Sequence, residues 1–251
     1  MSRSKGEVLT RPGDLLTALA LLTRLPIRAD FTRGARAAWA YPLAGLAPTL
    51  IGAAVVALAG LLGLAAGAAA GLGLVAFVLS TGALHEDGLA DCADGFWGGH
   101  DRARRLAIMK DSRIGSYGTI ALVLSLLLRW YLLTGIVAQG DWLAPILATA
   151  VLSRAPMVVL MAALPNARGS GLSASTGVPP RETAILAVVL AVLAALVLTG
   201  AAALAPIFWT TLAAVAVAAI ARAKIGGQTG DVLGATQQLC EIAALAAFSA
   251  L

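Results

Sequence analysis

Long apolar segments separated by short polar ones dominate this chain. A helix of about 20 apolar residues crosses a hydrocarbon core of roughly 30 Å, so each such segment predicts a transmembrane span. We predict spans at 41–62, 65–84, 119–137, 143–164, 184–204 and 207–221. A last apolar helix, 237–251, is short for a crossing, and the sequence leaves open whether it spans the membrane or lies on its surface.

The pattern therefore predicts an all-α, polytopic membrane bundle of six to seven transmembrane helices, forming a single membrane-embedded domain over residues 1–251. Strands of about ten alternating residues, which mark a transmembrane barrel, do not occur in the sequence. Residues 1–40 form a basic arm, in which leucines recur at three- and four-residue steps: Leu15, Leu16, Leu19, Leu22 and Leu25. This spacing predicts an amphipathic helix along the membrane surface, ended by Arg24 and Pro26.

Composition agrees with the membrane prediction, since 59% of the residues are hydrophobic, only 12% are charged and the mean hydropathy is +0.88. The net charge is +5. The basic residues are spread beside the predicted spans rather than gathered on one domain, so we expect no nucleic-acid partner. The two cysteines, Cys92 and Cys240, are expected to be free thiols. We expect no cleavable signal peptide, because no small-residue cleavage site follows the short apolar run at 15–22.

The basic residues predict an orientation. Sixteen of the eighteen Lys and Arg fall on the arm or in the loops 85–118, 165–183 and 222–236, which lie on one side of the predicted bundle. By the positive-inside rule that side is cytoplasmic. The three loops that carry the candidate catalytic and binding residues, and the N-terminus, are therefore expected on the cytoplasmic side.

The stretch His85–Gly95, with sequence HEDGLADCADG, holds most of the candidate chemistry. Four carboxylates in nine residues repel one another unless a cation neutralises them. On a helix, Asp87, Asp91 and Asp94 share one face, so we predict that they bind Mg²⁺. The alternative is a solvated polar cap on an apolar helix. Glycines interleaved with the acids favour the ligand site, because they permit close approach of a phosphate-bearing ligand.

Two further polar segments suit phosphate. IMKDSRIGSYG, residues 108–118, offers basic and hydroxyl side chains before two glycines, and its candidate phosphate ligands are Lys110, Ser112 and Arg113. A positive-inside anchor is the alternative for this segment. KIGGQTGD, residues 224–231, is glycine-rich without the ending of a P-loop. Its candidate substrate-binding residues are Gly226, Gly227, Gln228 and Thr229. Asp231 is a candidate general base or further metal ligand, and a flexible connector is the alternative.

Two arginines fall inside predicted spans, where a charge is costly. Arg129 and Arg154 are each expected to pair with a substrate phosphate or with an acid in the bundle, or to extend to the interface. Arg154 is included among the candidate substrate-binding residues. His85 is a candidate general base, with a plain helix-end residue as the alternative.

Several of these segments together resemble the cobalamin 5'-phosphate synthase family, also called adenosylcobinamide-GDP ribazoletransferases. The resemblance covers nearly the whole chain, through TRLP (23–26), YPLAG (41–45), HEDGLADCADG, KDSRIGSYG, Ser153-Arg154 and GGQTGDVLGA (226–235). Glu86 departs from the pattern, where an apolar residue is more usual, and is therefore a weaker ligand candidate than the three aspartates.

The resemblance implies a Mg²⁺-dependent enzyme of the bacterial cytoplasmic (inner) membrane. It would join adenosylcobinamide-GDP to α-ribazole or α-ribazole 5'-phosphate and release GMP, a late step of cobalamin biosynthesis. Which acceptor is used, which base acts and whether a homo-oligomer forms stay open. DCADG, residues 91–95, also fits part of the CDP-alcohol phosphotransferase pattern, so a lipid head-group transferase is the alternative. A transporter is a weaker alternative, because its binding site would be expected near the membrane midplane, whereas these acids lie at the predicted cytoplasmic end of the bundle.

Overall fold

The computed structural model describes residues 8–251, and all regular structure in this range is helical. The α-helices are α1 (Gly13–Leu22), α2 (Tyr41–Ala44), α3 (Leu46–Leu61), α4 (Ala66–Thr81), α5 (Leu84–Gly98), α6 (Arg102–Ile108), α7 (Ser116–Ala138), α8 (Leu143–Ala163), α9 (Leu172–Thr176), α10 (Arg181–Thr199), α11 (Leu204–Ile225) and α12 (Gly230–Ser249). Short 3₁₀ helices occupy Gly34–Ala40 and Gly200–Ala203. The all-helical prediction is confirmed.

Five helical stretches of the described chain are long and apolar enough to cross a membrane. They are Gly34–Leu61, Ser116–Ala138, Leu143–Ala163, Arg181–Ile225 and Gly230–Ser249. The fourth has 45 residues, about twice what one crossing needs. Its 3₁₀ segment begins at Gly200, whose φ of 57° breaks the helix. We therefore assign one crossing to α10 and one to α11, as the sequence predicted.

The last helix, α12, lies at the centre of the bundle and packs against α5, α7, α8 and α11. It starts at Gly230 rather than at residue 237 and has 20 residues, which is enough for a crossing. The predicted loop 222–236 is correspondingly reduced to the four residues between α11 and α12. The prediction failed here because glycines and polar residues interrupt the apolar pattern up to Gln238, whereas residues 239–249 are largely apolar apart from Glu241.

The segment predicted as the hydrophilic loop 85–118 is largely helical. Helix α5 follows α4 after a bend of 85°. Gly82 and Ala83 form this bend with φ values of 64° and 55°, in the left-handed region. Ala83 is the non-glycine residue of the described chain with positive φ, a conformation that costs an L-residue roughly 1–2 kcal/mol. The predicted span 65–84 corresponds to α4, which has 16 residues and is long enough for a crossing only together with α5, as a span broken at this bend or a re-entrant loop. Because α5 carries four acids and turns across the end of α4, we place α5 at the end of that crossing rather than within it.

The N-terminal amphipathic helix is confirmed as α1, but it is packed against the bundle rather than lying alone on a membrane surface. Asp14 in its first turn is 1% exposed. Its carboxylate is 2.7 Å from Arg33 Nε and accepts a 2.7 Å hydrogen bond from Trp39 Nε1. These contacts fix α1 to the 3₁₀ helix that leads into the first span.

Candidate active site

A chamber of about 130 Å³ opens where α5, α12 and the loop after α8 meet. His85 and Asp87 line it from α5, and Gly230 and Asp231 line it from the first turn of α12. Arg168 lines it from the loop after α8. This loop, predicted at 165–183, contains the short helix α9. The chamber thus joins two of the three polar segments that the sequence singled out.

The central contact of the chamber is an ion pair between loop and helix. Arg168 Nη2 lies 2.8 Å from Asp231 Oδ2, and both side chains are less than one-fifth exposed. The same oxygen accepts a 3.2 Å hydrogen bond from Thr229 Oγ1. Thr229 also caps α12, since its hydroxyl oxygen accepts a hydrogen bond from the Val232 amide. Asp231 is therefore held in place at the chamber wall, as its predicted role requires, whereas Thr229 positions Asp231 and the helix start.

Asp87 and Asp91 are one helical turn apart on α5, where Asp87 is exposed and Asp91 half-buried. Burial and the neighbouring Asp87 carboxylate, followed by Asp231, raise the pKa of Asp91 to about 7. The three acids thus lie close enough to repel one another. Among residues 8–251, however, no group of three His, Cys, Asp or Glu side chains forms a ready-made metal cage.

Asp94 also lies on α5, and its carboxylate binds the start of α7. Its Oδ2 accepts a 2.7 Å hydrogen bond from the amide of Gly115, and its Oδ1 accepts a 2.8 Å hydrogen bond from the amide of Gly118. These amides are at the first turn of α7, so Asp94 caps that helix across 21 to 24 residues of sequence. The predicted metal role of Asp94 thus competes with a structural role that occupies both oxygens.

The glycines of the acid stretch serve helix packing rather than ligand approach. A Cβ on Gly88 would lie 2.7 Å from the carbonyl oxygen of Asp231, and one on Gly95 would lie 3.0 Å from the carbonyl oxygen of Arg105. Both positions therefore bring α5 into close contact with neighbouring backbone, α12 in the first case and α6 in the second. The expectation that these glycines admit a phosphate is not supported.

The GGQTGD segment is mainly a structural junction. Gln228 exchanges backbone hydrogen bonds with Pro165 and Ala167 at 2.9 and 2.8 Å, and its side-chain oxygen accepts a 2.7 Å hydrogen bond from Ser173. Gly227 lies so close to the Pro165 carbonyl that a side chain would collide with it, and Gly226 ends α11 with φ 76°. Gly226, Gly227 and Gln228 were predicted to bind substrate. In the structure they connect the loop after α8 to the start of α12, which brings Arg168 to Asp231.

The KDSRIGSYG segment lies apart from the chamber. Lys110, Ser112 and Arg113 are exposed and line none of its wall. Arg113 forms a 2.7 Å ion pair with Asp111, and hydrogen bonds from Arg113 lower the pKa of Asp111 to about 2. The segment reaches Asp94 through the amides of Gly115 and Gly118, but the side chains of the three predicted phosphate ligands do not line the chamber, whereas Arg168 does.

His85 and Arg154 are buried deeper than a substrate-contacting pair was expected to be. Both have 0% exposure. His85 lines the inner end of the chamber, and neither of its ring nitrogens has a hydrogen-bond partner among the described residues. Arg154 does not line the chamber. It donates from Nη1 to the Ala150 carbonyl at 3.1 Å, so its predicted contact with substrate is not supported by its position.

Arg129 pairs with acids inside the bundle, as one of the sequence interpretations held. Its Nη1 lies 2.7 Å from Glu86, and its Nη2 lies 2.9 Å from Glu241. Gln238 accepts a further 3.0 Å hydrogen bond from Nη1. Glu86, which departs from the family pattern, is therefore the partner of Arg129 and not a metal ligand of the chamber.

Sequence reasoning missed Arg168 as a functional residue and treated it only as an orientation marker. Its neighbours are Gly and Ser, and no local pattern shows that the loop folds onto α12. Tyr41 was noted within YPLAG without a role. It is 3% exposed and lines the chamber beside His85. A polar side chain at the start of an apolar span was the available signal for Tyr41.

Comparison with known proteins identifies the family of the chain. The family model for cobalamin-5-phosphate synthase matches residues 14–249. The chain is 48% identical to the adenosylcobinamide-GDP ribazoletransferase of Mesorhizobium japonicum, with 92% of this chain and 91% of the relative covered. It is 49% identical to that of Azorhizobium caulinodans, with 92% and 93% covered. No solved structure matches the chain. The chain belongs to the cobalamin-5-phosphate synthase family of membrane enzymes, as its motifs predicted.

Proposed function

We propose that this enzyme transfers the adenosylcobinamide phosphate of adenosylcobinamide-GDP to α-ribazole or α-ribazole 5'-phosphate, with Mg²⁺ and at the chamber. The observation that carries the proposal is the approach of two acid-bearing helices, α5 with Asp87 and Asp91 and α12 with Asp231, beside the guanidinium of Arg168. A pyrophosphate substrate requires carboxylates that hold a metal ion and a positively charged side chain that binds phosphate oxygens.

The donor set fits Mg²⁺. This ion prefers oxygen ligands, keeps several waters and is commonly bound by one or two carboxylates together with substrate phosphates. Asp87 and Asp91, one turn apart and crowded by Asp231, supply that number of carboxylates without a closed protein cage. Bound Mg²⁺ would neutralise pyrophosphate charge and favour departure of GMP. Asp94 is left to cap α7.

The reaction makes one phosphoester bond and breaks one phosphoanhydride bond. The acceptor hydroxyl attacks the phosphate attached to the cobinamide, GMP leaves with the bridging oxygen, and the hydroxyl proton passes to a base. Arg168 would hold phosphate oxygens, since its guanidinium is already at the chamber wall. Asp231 is the proposed base because it is partly accessible there, and the buried His85 is the second candidate.

We also propose that the chamber opens to the cytoplasm of a bacterial cell, across whose cytoplasmic membrane the bundle is inserted. The loop with Arg168, the exposed α6 and the start of α10 contribute the basic residues of that end of the molecule. The turn between α7 and α8 carries none. This asymmetry supports a cytoplasmic chamber by the positive-inside rule.

The decisive experiment is GMP release by the full chain in lipid vesicles. Adenosylcobinamide-GDP and α-ribazole 5'-phosphate are supplied with and without Mg²⁺, to the wild type and to Asp91→Asn. Asp141→Asn is the matched control, because Asp141 is an exposed acid in the turn between α7 and α8. We expect Mg²⁺-dependent release that Asp91→Asn loses by at least a hundredfold and Asp141→Asn retains. No release by the wild type would reject the function. Equal release by Asp91→Asn would reject the role of Asp91.

A further inference from the structure

A second cavity, of about 530 Å³, adjoins the chamber on the side of α1. We call it the side cavity. It lies within the volume range of roughly 300–1,000 Å³ that small-molecule sites occupy. The two spaces share five wall residues: Leu21, Tyr41, Leu84, Leu172 and Thr176. A ligand in the side cavity would therefore lie next to the acids of the chamber.

Tyr41 stands at the junction of the two spaces. Its side chain lines both, and the residue is 3% exposed. Within residues 8–251 its hydroxyl makes no hydrogen bond to the protein, and it is not among the fully enclosed polar atoms, so the oxygen is open to the space at the junction. The hydroxyl is thus a polar group that a ligand bound across the junction would satisfy.

The remaining wall of the side cavity suits a flat ring with few polar edges. Apolar side chains such as Ala20, Leu21 and Ala37 form much of it. Five other hydroxyls, those of Thr17, Thr23, Thr81, Ser175 and Thr176, donate their protons to backbone carbonyls. No carboxylate or side-chain amide lines the cavity among the described residues. The groups that usually read the N–H edge of guanine are therefore missing, and the donor's guanosine is a poor fit.

One cation is present at the cavity. The Arg24 side chain is exposed and runs along Gly82, where a Cβ would lie 2.5 Å from its Cγ. Its amide donates a 2.8 Å hydrogen bond to the Ser80 carbonyl, which fixes its backbone. A guanidinium at the edge of an apolar cavity suits a ligand with one apolar ring and one phosphate.

We infer that the side cavity binds the acceptor nucleotide, with its largely apolar benzimidazole base inside, Tyr41 hydrogen-bonded to it at the junction, and Arg24 on its 5'-phosphate. This inference rests on the proposed function and adds the location and phosphorylation state of the acceptor. The cobinamide is too large for the side cavity and stays at the open end of the chamber. The acceptor hydroxyl then approaches the donor phosphate from the side of Tyr41.

The test measures KM separately for each substrate, in vesicles containing the full chain. Tyr41→Phe removes one hydroxyl, and Ala20→Phe fills part of the side cavity. Leu16→Phe is the control, since Leu16 is 46% exposed on α1 and lines no wall of the side cavity. We expect KM for the acceptor to rise about fivefold in Tyr41→Phe and at least tenfold in Ala20→Phe. KM for adenosylcobinamide-GDP should change less than twofold, and Leu16→Phe should match the wild type.

Arg24→Gln separates the two acceptor forms. We expect KM for α-ribazole 5'-phosphate to rise about tenfold, while KM for α-ribazole stays within twofold. An equal effect on both acceptors would overturn the role of Arg24. A rise in KM for the donor alone, or no change in any variant, would overturn the side cavity as the acceptor site.

Equilibrium dialysis of α-ribazole 5'-phosphate without donor keeps this inference apart from the proposed function. Binding to the wild type that Ala20→Phe and Tyr41→Phe weaken supports the inference even if no GMP is released. GMP release by a wild type whose acceptor binding neither substitution weakens would overturn the inference and leave the function standing. Thermal unfolding of each variant shows whether Ala20→Phe is folded, and Tyr41→Phe decides if it is not.

Discussion

Arg129 of α7 and Glu86 of α5 form a 2.7 Å ion pair, and their side chains are 0% and 5% exposed. Glu241 of α12 lies 2.9 Å from the same guanidinium. Arg129 therefore joins α7 to α5 and α12, the two helices that carry the acids of the proposed site. Glu86 is adjacent in sequence to both His85 and Asp87, so the depth and rotation of α5 are set one residue away from the chamber wall.

Removing Arg129 should destabilise the fold more than any surface arginine does. Arg129→Met leaves Glu86 and Glu241 buried without a cation, which costs about 3–5 kcal/mol. Thermal unfolding in detergent measures this loss. Arg104→Met is the control, because Arg104 is exposed on α6, and it should change stability by less than about 0.5 kcal/mol. Similar unfolding temperatures for the two variants would contradict a structural role for the Arg129 network.

Local composition explains which parts of this architecture the sequence predicted. Apolar runs identify spans, and the acids of α5 and Asp231 are recognisable as unusual charges in an apolar chain. The partners are set by tertiary contacts instead. Arg129 meets acids 43 and 112 residues away, and Arg168 meets Asp231 across 63 residues. No pattern of spacing reports such distances, so the sequence did not single out Arg168, and it predicted the phosphate contact at exposed residues of 108–118, which do not line the chamber.

Asp94 was predicted as a metal ligand because its partners, too, are distant in the sequence and local spacing does not reveal them. Its spacing from Asp91 is right for a shared helix face, but its partners are two amides at the start of α7, 21 and 24 residues ahead. A helix N-terminus attracts a carboxylate as a cation does. Sequence alone does not distinguish these two uses of an aspartate, whereas substitution does.

Asp94→Ala and Asp91→Ala should have opposite profiles. Loss of the Asp94 cap exposes two amides of α7 and should lower stability by about 1–2 kcal/mol, with the Mg²⁺ concentration for half-maximal GMP release nearly unchanged. Asp91→Ala should raise that Mg²⁺ concentration or abolish release while leaving stability equal or higher, because it relieves repulsion with Asp87 and Asp231. Unfolding curves and Mg²⁺ titrations on both variants check this. A strong Mg²⁺ effect in a stable Asp94→Ala would restore Asp94 as a ligand.

Ala83 offers a stabilising substitution. Its φ of 55° lies in the left-handed region, which glycine adopts without the steric cost of a Cβ. Ala83→Gly should therefore stabilise the protein by about 1 kcal/mol, which for a chain of this size raises the unfolding temperature by about 2–4 °C. Ala93→Gly within α5 is the control and should lower it, because glycine weakens a regular helix. Destabilisation by Ala83→Gly would show that the bend depends on the alanine side chain.

Arg168→Lys tests the proposed phosphate contact. Lysine keeps the charge but loses the planar fork that binds two oxygens at once. We expect kcat/KM for adenosylcobinamide-GDP to fall about ten- to hundredfold, which corresponds to about 1.4–2.8 kcal/mol. Arg181→Lys at the exposed start of α10 is the control and should behave as the wild type. An unchanged kcat/KM in Arg168→Lys would mean that this residue serves only to hold Asp231.

The direction in which the chamber opens is testable with single cysteines. Ser112 and Gln139 are exposed at opposite ends of the molecule, one before α7 and the other after it. Both native cysteines are buried and should react slowly with a thiol reagent that cannot cross membranes. In intact cells, Gln139→Cys should be labelled and Ser112→Cys should be protected. Both should be labelled after the membrane is made permeable. Labelling of Ser112→Cys alone in intact cells would place the chamber outside the cytoplasm and reject the proposed orientation.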